Sequence, residues 1–350
     1  MSERYAADNL LDFAESLCLA GGMGQGQTSA VVQILLEGDL LGHNTHGLQL
    51  LAPYLNALGK GAMRAEGDVT VLSERAAIAL WDGHYLPGPW LVCKAIETAQ
   101  EMARQCGTGT VVIRQSSHIG ALAAYLEAPA RDGFLIQILC SDPSVASVAP
   151  FGGSTPVYTP NPMAWGIPAS GSPILIDISA STTTNGMSGR LHEAGEKGEH
   201  NWWLDALGKP CNDPSVLFQN PAGSLLPLGG TDAGHKGYGL ALYVEAMTAG
   251  LAGHGRADDV NLWGASVQVQ LTDVNAVGER QAFDRQIDHL IDACLQSPPA
   301  DADKPVRLPG HRGLALKSEQ LENGVILHPA ILPSLQILAD EKGIEMPAPL

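Results

Sequence analysis

The amino-acid sequence predicts a mixed α/β fold with helical segments at its N- and C-terminal ends. The run TVVIR at 110–114 predicts a buried strand, a helical pattern follows it, and FLIQILC at 134–140 predicts a second strand. This strand–helix–strand order is the crossover unit of α/β proteins. The run ILIDI at 174–178 predicts a further buried strand. Apolar residues at helical spacing predict helices near 10–18 and 329–342.

Three helices are predicted before residue 60. The first ends at the Gly21–Gly22 pair and the second ends near Gly42. The third covers 48–58, where the apolar residues again recur at helical spacing. Thr45 is expected to be the N-cap of this helix, which would place His46 in its first turn.

The chain divides into three regions by pattern. Residues 76–300 alternate strand and helix patterns and are expected to form the central α/β region that binds cofactor and substrate. Residues 1–75 and 301–350 are expected to be terminal segments that pack together. The Pro-, Gly- and Ser-rich stretch 141–173 is expected to be a functional loop. SVQVQL at 266–271 alternates apolar and polar residues, which predicts a half-exposed strand.

Composition and charge exclude several classes of function. The 350 residues include 45% hydrophobic and 16% charged residues, which is typical of a globular protein. The formal net charge of −17 disfavours nucleic acid or an anionic membrane surface as a partner, because phosphates would be repelled. The six cysteines form no C-x-x-C pair, and no signal sequence or membrane-length apolar run is visible. We therefore expect a cytoplasmic protein.

The common nucleotide, hydrolase and metal motifs are missing. No G-x-G-x-x-G follows a strand, and no P-loop or G-x-S-x-G sequence occurs. The stretch HEAGEKGEHNWW at 192–203 matches no zinc spacing, so no metal site is expected. Any dinucleotide must therefore be bound by another architecture.

Two histidines stand out by position. His46 is expected at a helix N-terminus, where the dipole lowers an imidazole pKa and free N–H groups favour an anion. His118 follows the strand at 110–114, and open α/β sheets bind ligands at the carboxyl ends of their strands. Either histidine alone could merely bond a loop. Together they are candidates for acid/base chemistry beside a bound carboxylate.

Three other residues carry weaker signals. Asp177 ends a buried strand, where it could bond a ribose or cap a turn. Lys236 lies among glycines before an apolar helix, and Arg312 lies in PGHRG. Either cation could pair with a phosphate.

Seven stretches in series resemble the type 2 malate/L-lactate dehydrogenase family. They are THGLQLL, VVIRQSSHIGALAAYLEAPARDG, VAPFGG, NPMAWGIP, PILIDISAS, HKGYGLALYVEAMTAGLAG and PGHRG. The resemblance implies a non-Rossmann fold, NAD or NADP as cofactor, and a homodimer with active sites near the subunit interface. It also implies hydride transfer between the nicotinamide and the C=O or C=N carbon of a small 2-oxo, 2-hydroxy or cyclic imino acid.

The same resemblance implies roles for individual residues. His46 and His118 match the proton donors or acceptors of the family, and Thr45 and Asn161 match positions near the substrate. The expected cofactor-binding residues are Asp177, Ile178, Ser179, Lys236, Gly310, His311 and Arg312.

One departure from the family pattern concerns the substrate. Members usually carry an Arg four residues after the first histidine, suited to gripping a carboxylate, and this chain has Leu50 there. Three explanations stay open: Arg114 substitutes, the helix N-terminus at Thr45 holds the anion, or the substrate is unusual. We hypothesise a substrate outside simple malate and lactate.

Two other classes of function compete with this reading. The substitution at Leu50 could mark a catalytically degenerate homologue that binds a nucleotide or metabolite as a regulator. A hydrolase using Ser116 or Ser117 with His118 is the third, more distant, alternative.

Overall fold

The computed structural model describes residues 3–350 and consists of helices packed on and beside one large sheet. The α-helices are α1 (Ala7–Ala20), α2 (Gln25–Leu40), α3 (Leu51–Gly59), α4 (Gly88–Cys106), α5 (Glu127–Arg131), α6 (Asn185–Glu193), α7 (Gly230–Glu245), α8 (Val274–Val277), α9 (Arg280–Leu295), α10 (His311–Asn323) and α11 (Leu332–Lys342). The strands are β1 (Thr70–Arg75), β2 (Ile78–Asp82), β3 (Thr108–Ser116), β4 (Phe134–Ser141), β5 (Met163–Ile167), β6 (Ile174–Ile178), β7 (Trp203–Leu204), β8 (Pro210–Cys211), β9 (Ser224–Leu225) and β10 (Ala265–Asp273).

The main sheet has seven strands in the order β1-β2-β3-β10-β4-β5-β6. Only β2 and β3 pair in parallel, and α4 connects them. The predicted unit of β3, helix and β4 is present, but β10 lies between its two strands and is antiparallel to both. The mixed α/β class is confirmed, and the order of the strands differs from a simple parallel crossover.

The prediction of a half-exposed β10 was wrong. The apolar side chains Val267, Val269 and Leu271 are fully buried, and Gln268 between them is only 1% exposed. Gln268 accepts a hydrogen bond of 3.2 Å from the side-chain amide of Gln137 on β4. A polar residue in an alternating pattern was therefore buried with a partner rather than exposed to water.

Several elements differ from the sequence-based expectation in extent. The expected loop 141–173 contains strand β5, and the expected helix after His118 divides into a 3₁₀ turn at Leu122–Tyr125 and the short α5. Helix α6 and a small three-stranded sheet, β8-β7-β9, lie between β6 and α7. Pro129 lies within the short α5, where a proline disfavours a longer helix.

The N-terminal helices form a separate apolar cluster with the C-terminal segment. Helices α1, α2 and α3 bury side chains such as Leu17 and Tyr54 against Leu335 of α11. Backbone bonds between Tyr5 and Val325 also join the two ends of the chain. Strand β1 pairs with β2 and so lies in the main sheet, although it falls within residues 1–75, which were expected to form a terminal segment.

None of the helices within residues 3–350 is both long enough and apolar enough to cross a lipid bilayer.

Two leucines on α1 test the terminal cluster. Leu17 is fully buried and Leu19 is 42% exposed. We expect Leu17→Ala to lower the free energy of unfolding by about 2–5 kcal/mol, because it removes buried methyl groups and leaves a cavity. The matched variant Leu19→Ala should change it by less than about 0.5 kcal/mol. Chemical denaturation of both variants measures the difference, and equal losses would contradict the packing described.

Candidate active site

A cleft of about 660 Å³ lies where the loop after α2 meets the ends of β3 and β6 and the first turn of α6. Its walls come from residues 42–46, 118–122, 177–179 and 182–187, with Trp263 closing one side. A volume of this size is typical of pockets that bind small molecules and cofactors. The cleft is therefore the leading candidate for the functional site.

The two histidines singled out in the sequence meet in this cleft. The ring centroids of His46 and His118 are 5.8 Å apart, although the residues are 72 positions apart in the chain. The indole of Trp263 stacks on His118 with a centroid distance of 4.7 Å. Sequence reasoning missed Trp263, which follows no strand or motif that would have marked it.

Hydrogen bonds fix the protonation of the His118 ring. The backbone N–H of Gly120 donates to Nδ1 of His118 at 3.2 Å, and the Tyr54 hydroxyl is 2.9 Å from the same nitrogen. Because Nδ1 accepts, the neutral ring carries its proton on Nε2. Burial lowers the pKa of His118 to about 3, so the ring is neutral near pH 7. Neutral His118 is thus a hydrogen-bond donor to the cleft.

His46 has a less restricted partner. Its Nδ1 lies 2.8 Å from Oγ1 of Thr45, a hydroxyl that can either donate or accept. Both neutral tautomers of His46 are therefore accessible, including the one with a free lone pair on Nε2. Burial lowers its pKa to about 4, with smaller contributions from His43 and Arg190. His46 can therefore accept a proton on Nε2, whereas Nε2 of neutral His118 already carries one.

The predicted helix N-terminus at Thr45 is not present. A 3₁₀ turn begins at Leu48 with Gly47 as its N-cap, and α3 follows from Leu51. The Leu48 N–H donates to Oδ2 of Asp39 at 2.7 Å, so the group expected to hold a substrate anion is already bonded to a carboxylate. Thr45 nevertheless lines the cleft. If Thr45 contacts the substrate, it does so through its side chain and not through a helix N-terminus.

Asp39 lies beneath the loop that carries His46. Burial raises its pKa to about 7, although the bond from Leu48 and the charge of Arg190 act in the opposite direction. A Cβ on Gly47 would lie about 2.4 Å from Cγ of Asp39. Only glycine at this position therefore lets the loop pack on the carboxylate.

Arg114 does not provide the missing cation. Its guanidinium donates to Oδ2 of Asp82 through Nε at 2.9 Å and through Nη2 at 2.8 Å. Arg114 is not among the residues that line the cleft, whereas the apolar Leu50 is. The explanation based on Arg114 was therefore wrong.

Of the expected cofactor residues, Asp177, Ile178 and Ser179 line the cleft. Oδ2 of Asp177 accepts the backbone N–H of Ala123 at 2.8 Å, so this carboxylate also fixes the turn after His118. Burial raises the pKa of Asp177. The residue thus has the turn-capping role that was considered beside cofactor binding.

Asn161 is fully buried behind the cleft. Its side-chain oxygen accepts from Thr159 at 2.8 Å, and its nitrogen donates to Glu245 at 3.0 Å and to the carbonyl of Ala241 at 3.2 Å. These bonds use the amide within the protein, and Asn161 does not line the cleft. The structure gives it a part in supporting the loop.

The remaining expected cofactor residues lie outside this cleft in the single chain. Lys236 and Arg312 are exposed. Gly310 packs against the start of β6, where a Cβ would lie 2.6 Å from Cβ of Leu175. His311 follows it at the first position of α10. None of the four lines the cleft that holds the histidines.

Among residues 3–350, no group of three or more His, Cys, Asp or Glu side chains has an arrangement that could hold a metal ion.

Comparison with known proteins places the chain in a family. The sequence model of the malate/L-lactate dehydrogenase family matches residues 5–336. The chain belongs to this family. Its members are dehydrogenases that act on hydroxy and oxo acids, so the resemblance inferred from the seven stretches is confirmed.

Similar members of the malate/L-lactate dehydrogenase family include two sulfolactate dehydrogenases. The L-sulfolactate dehydrogenase of Methanothermobacter thermautotrophicus is 33% identical over 254 residues, which is 71% of this chain and 71% of the relative. The (2R)-3-sulfolactate dehydrogenase (NADP(+)) of Chromohalobacter salexigens is 32% identical over 325 residues, which is 89% of this chain and 92% of the relative.

A solved family structure has the same fold. Malate dehydrogenase from Entamoeba histolytica superimposes with a TM-score of 0.92 over 99% of this chain and 100% of that chain, at 23% sequence identity.

The low pKa values of the two histidines predict a pH dependence of stability. A histidine with a folded pKa far below 6.5 leaves the unfolded state to bind protons first, so stability falls as the pH falls from about 6.5 toward 4. At pH 5 the loss is about 2 kcal/mol for each histidine relative to neutral pH. Asp39 acts in the opposite direction, since its pKa is raised.

Replacing the histidines isolates their contribution from that of Asp39. We expect His118→Gln and His46→Gln each to lose less stability between pH 7 and pH 5 than the unmodified protein. His289→Gln, at an exposed position on α9, is the matched control and should follow the unmodified protein. Denaturant titrations at the two pH values measure this, and parallel behaviour of all variants would refute the burial of the rings.

Proposed function

We propose that the protein transfers a hydride between NAD or NADP and the C=O or C=N carbon of a small 2-oxo, 2-hydroxy or cyclic imino acid. The observation that carries the proposal is the meeting of His46 and His118 in one cleft of a family dehydrogenase. The two imidazoles provide a hydrogen-bond donor and a proton acceptor at the same place. A hydroxy acid that loses a hydride needs both.

The cleft has the size and the chemistry for a nicotinamide cofactor. Ser179 and the hydroxyl groups of 182–184 line it, and these groups suit a ribose or a phosphate. When bound, the nicotinamide supplies or accepts the hydride. The choice between NAD and NADP depends on a contact to the 2′-phosphate, and a relative whose name includes NADP(+) makes both cofactors worth assaying.

His118 and His46 have different roles in this proposal. His118 donates its Nε2–H to the carbonyl or alcohol oxygen, and it does so as a neutral ring because Gly120 fixes the tautomer. His46 accepts the proton from a hydroxy acid through Nε2, while its Nδ1–H donates a hydrogen bond to the hydroxyl oxygen of Thr45. In the reductive direction His46 returns the proton to the product. His46 is thus still our first choice for the proton, for a reason other than a helix terminus.

Replacement of each histidine tests the assignment. We expect His46→Ala to lower kcat by about 10²–10⁴, the usual effect of losing a general acid/base. His118→Ala should lower kcat by about 10²–10³, the effect of losing a donor to the reacting oxygen. The assay follows NADH and NADPH oxidation with a panel of oxo acids and cyclic imines. Unchanged kcat in both variants would exclude these roles.

The same panel decides between the proposal and its alternatives. Retained NAD(P)H binding, seen by fluorescence, with no turnover of any acceptor would favour a catalytically degenerate regulator. Brisk turnover of pyruvate or oxaloacetate alone would refute a substrate outside malate and lactate.

We also propose that the protein is a homodimer. Helix α7 and the turn after it expose several large apolar side chains, among them Leu242 at 50%, Tyr243 at 45% and Leu251 at 49%. Exposed apolar side chains grouped on one face are typical of a protein interface. Lys236 is exposed on the same helix, so a partner that packs along this helix would lie close to an expected cofactor residue.

One substitution in α7 tests the dimer. We expect Leu242→Arg to shift the protein from dimer to monomer in sedimentation experiments, because burial of an unpaired charge opposes association. Leu207→Arg is the control, since Leu207 is 80% exposed and lies outside α7. A monomeric unmodified protein, or a variant that stays dimeric, would contradict the proposal.

A further inference from the structure

Among the described residues, no lysine or arginine lines the cleft where an acid substrate would need a cation. Leu50 lines the wall near His46, Arg114 is paired with Asp82, and the Leu48 N–H is bonded to Asp39. A carboxylate that enters the cleft loses hydrogen bonds to water, and its binding is unfavourable unless a donor in the cleft replaces them. The other polar groups in the wall are therefore the candidates for binding the carboxylate within this chain.

Arg190 is a cation that sequence reasoning missed. It lies in the last turn of α6, where its Nη1 donates to Oδ1 of Asn44 at 2.9 Å and its Nη2 donates to Oε1 of Gln49 at 2.7 Å. Both acceptors are neutral amides. Among the described residues, no carboxylate lies within ion-pair distance of Arg190, and Asp39 and Glu193 act on it only from farther away. Its positive charge is therefore not neutralised by direct contact.

The charge of Arg190 reaches the cleft. It is one cause of the lowered pKa of His46, together with burial and His43. A partly buried cation such as Arg190 acts more strongly on a nearby imidazole than an exposed cation does, because less water lies between the two groups.

Asn44 connects this cation to the cleft. Arginine can only donate, so the bond from Nη1 requires that the oxygen of the Asn44 amide faces Arg190. The Nδ2 group then points away from Arg190, and Asn44 lines the cleft two residues before His46. Among the described residues, this Nδ2 group donates no hydrogen bond to the protein. Two N–H donors are thus left for a ligand.

We infer that the Asn44 amide binds the carboxylate of the substrate and that Arg190 holds this amide in place and supplies the positive charge behind it. The inference rests on the proposed function and adds a specificity-determining residue, Asn44, and a positioning residue, Arg190. The amide donates both N–H bonds toward the anion, and the bond from Arg190 increases their polarity. The arrangement selects acids over their neutral esters.

A matched pair of acceptors measures this selection. Pyruvate and methyl pyruvate, or another oxo acid that the panel identifies and its methyl ester, differ in the anionic charge. We expect Asn44→Ala and Arg190→Met to lower the ratio of kcat/KM for acid over ester roughly 10–100-fold, the effect of losing a hydrogen bond to a charged group. The change should be mainly in KM for the acid.

Three controls separate recognition from structural damage. Arg190→Lys keeps the positive charge but lacks the planar guanidinium with its several N–H donors, so its acid-to-ester ratio should lie between those of Arg190→Met and the unmodified protein. Arg104→Met, at an exposed arginine of α4, should leave the ratio unchanged. If Arg190→Met fails to fold, Asn44→Ala and Arg190→Lys still decide the question. An equal loss of turnover for acid and ester would show a structural role and overturn the inference.

Binding of oxalate, measured by calorimetry, gives a second readout that does not depend on turnover. Binding that Asn44→Ala weakens, in a protein that reduces no oxo acid or imine, would overturn the proposed function and support the anion site. Normal turnover with an unchanged acid-to-ester ratio in both variants would overturn the anion site alone. Absence of both turnover and oxalate binding would overturn both.

Discussion

The hydrogen bond from the Leu48 N–H to the buried Asp39 carboxylate anchors the loop that carries His46. It ties the start of a 3₁₀ turn to the end of α2, and the close packing of Gly47 on the same carboxylate leaves little room for another conformation. The intervening residues, including His46, therefore project into the cleft from a fixed base. The proximity of His46 to His118 depends on this one buried group.

Burial is the main influence on the protonation of the two histidines in the cleft. Burial keeps His46 and His118 neutral, and the cation Arg190 is bonded to Asn44 in the wall of the cleft. In the proposed reaction His46 becomes a cation when it takes a proton from a hydroxy acid, and burial favours the later release of that proton because it lowers the pKa of the ring.

The sequence predicted the class of fold and the two histidines, and it failed where distant partners decide the outcome. The apolar runs at β3, β4 and β6 were recognised because burial alone explains them. The burial of Gln268 depends on Gln137, 131 residues away, which no local pattern shows. Likewise, Thr45 was predicted to be an N-cap, but the Leu48 N–H donates to the carboxylate of Asp39 instead. The bond from Arg190 to Asn44 could not be predicted, because Arg190 lies in a polar stretch far from Asn44 in the sequence. Local periodicity therefore identified elements, while the partners of polar groups had to be seen in three dimensions.

The position of β10 in the sheet has a consequence for synthesis of the chain. Strands β3 and β4 are complete by residue 141, but the strand that joins them begins only at Ala265. Until then each has an unpaired edge, and such edges can pair with other chains. A ribosome-bound intermediate shorter than about 265 residues therefore lacks the strand that joins β3 to β4. Its exposed strand edges favour binding by chaperones. The late, non-local pairing of β10 also slows folding.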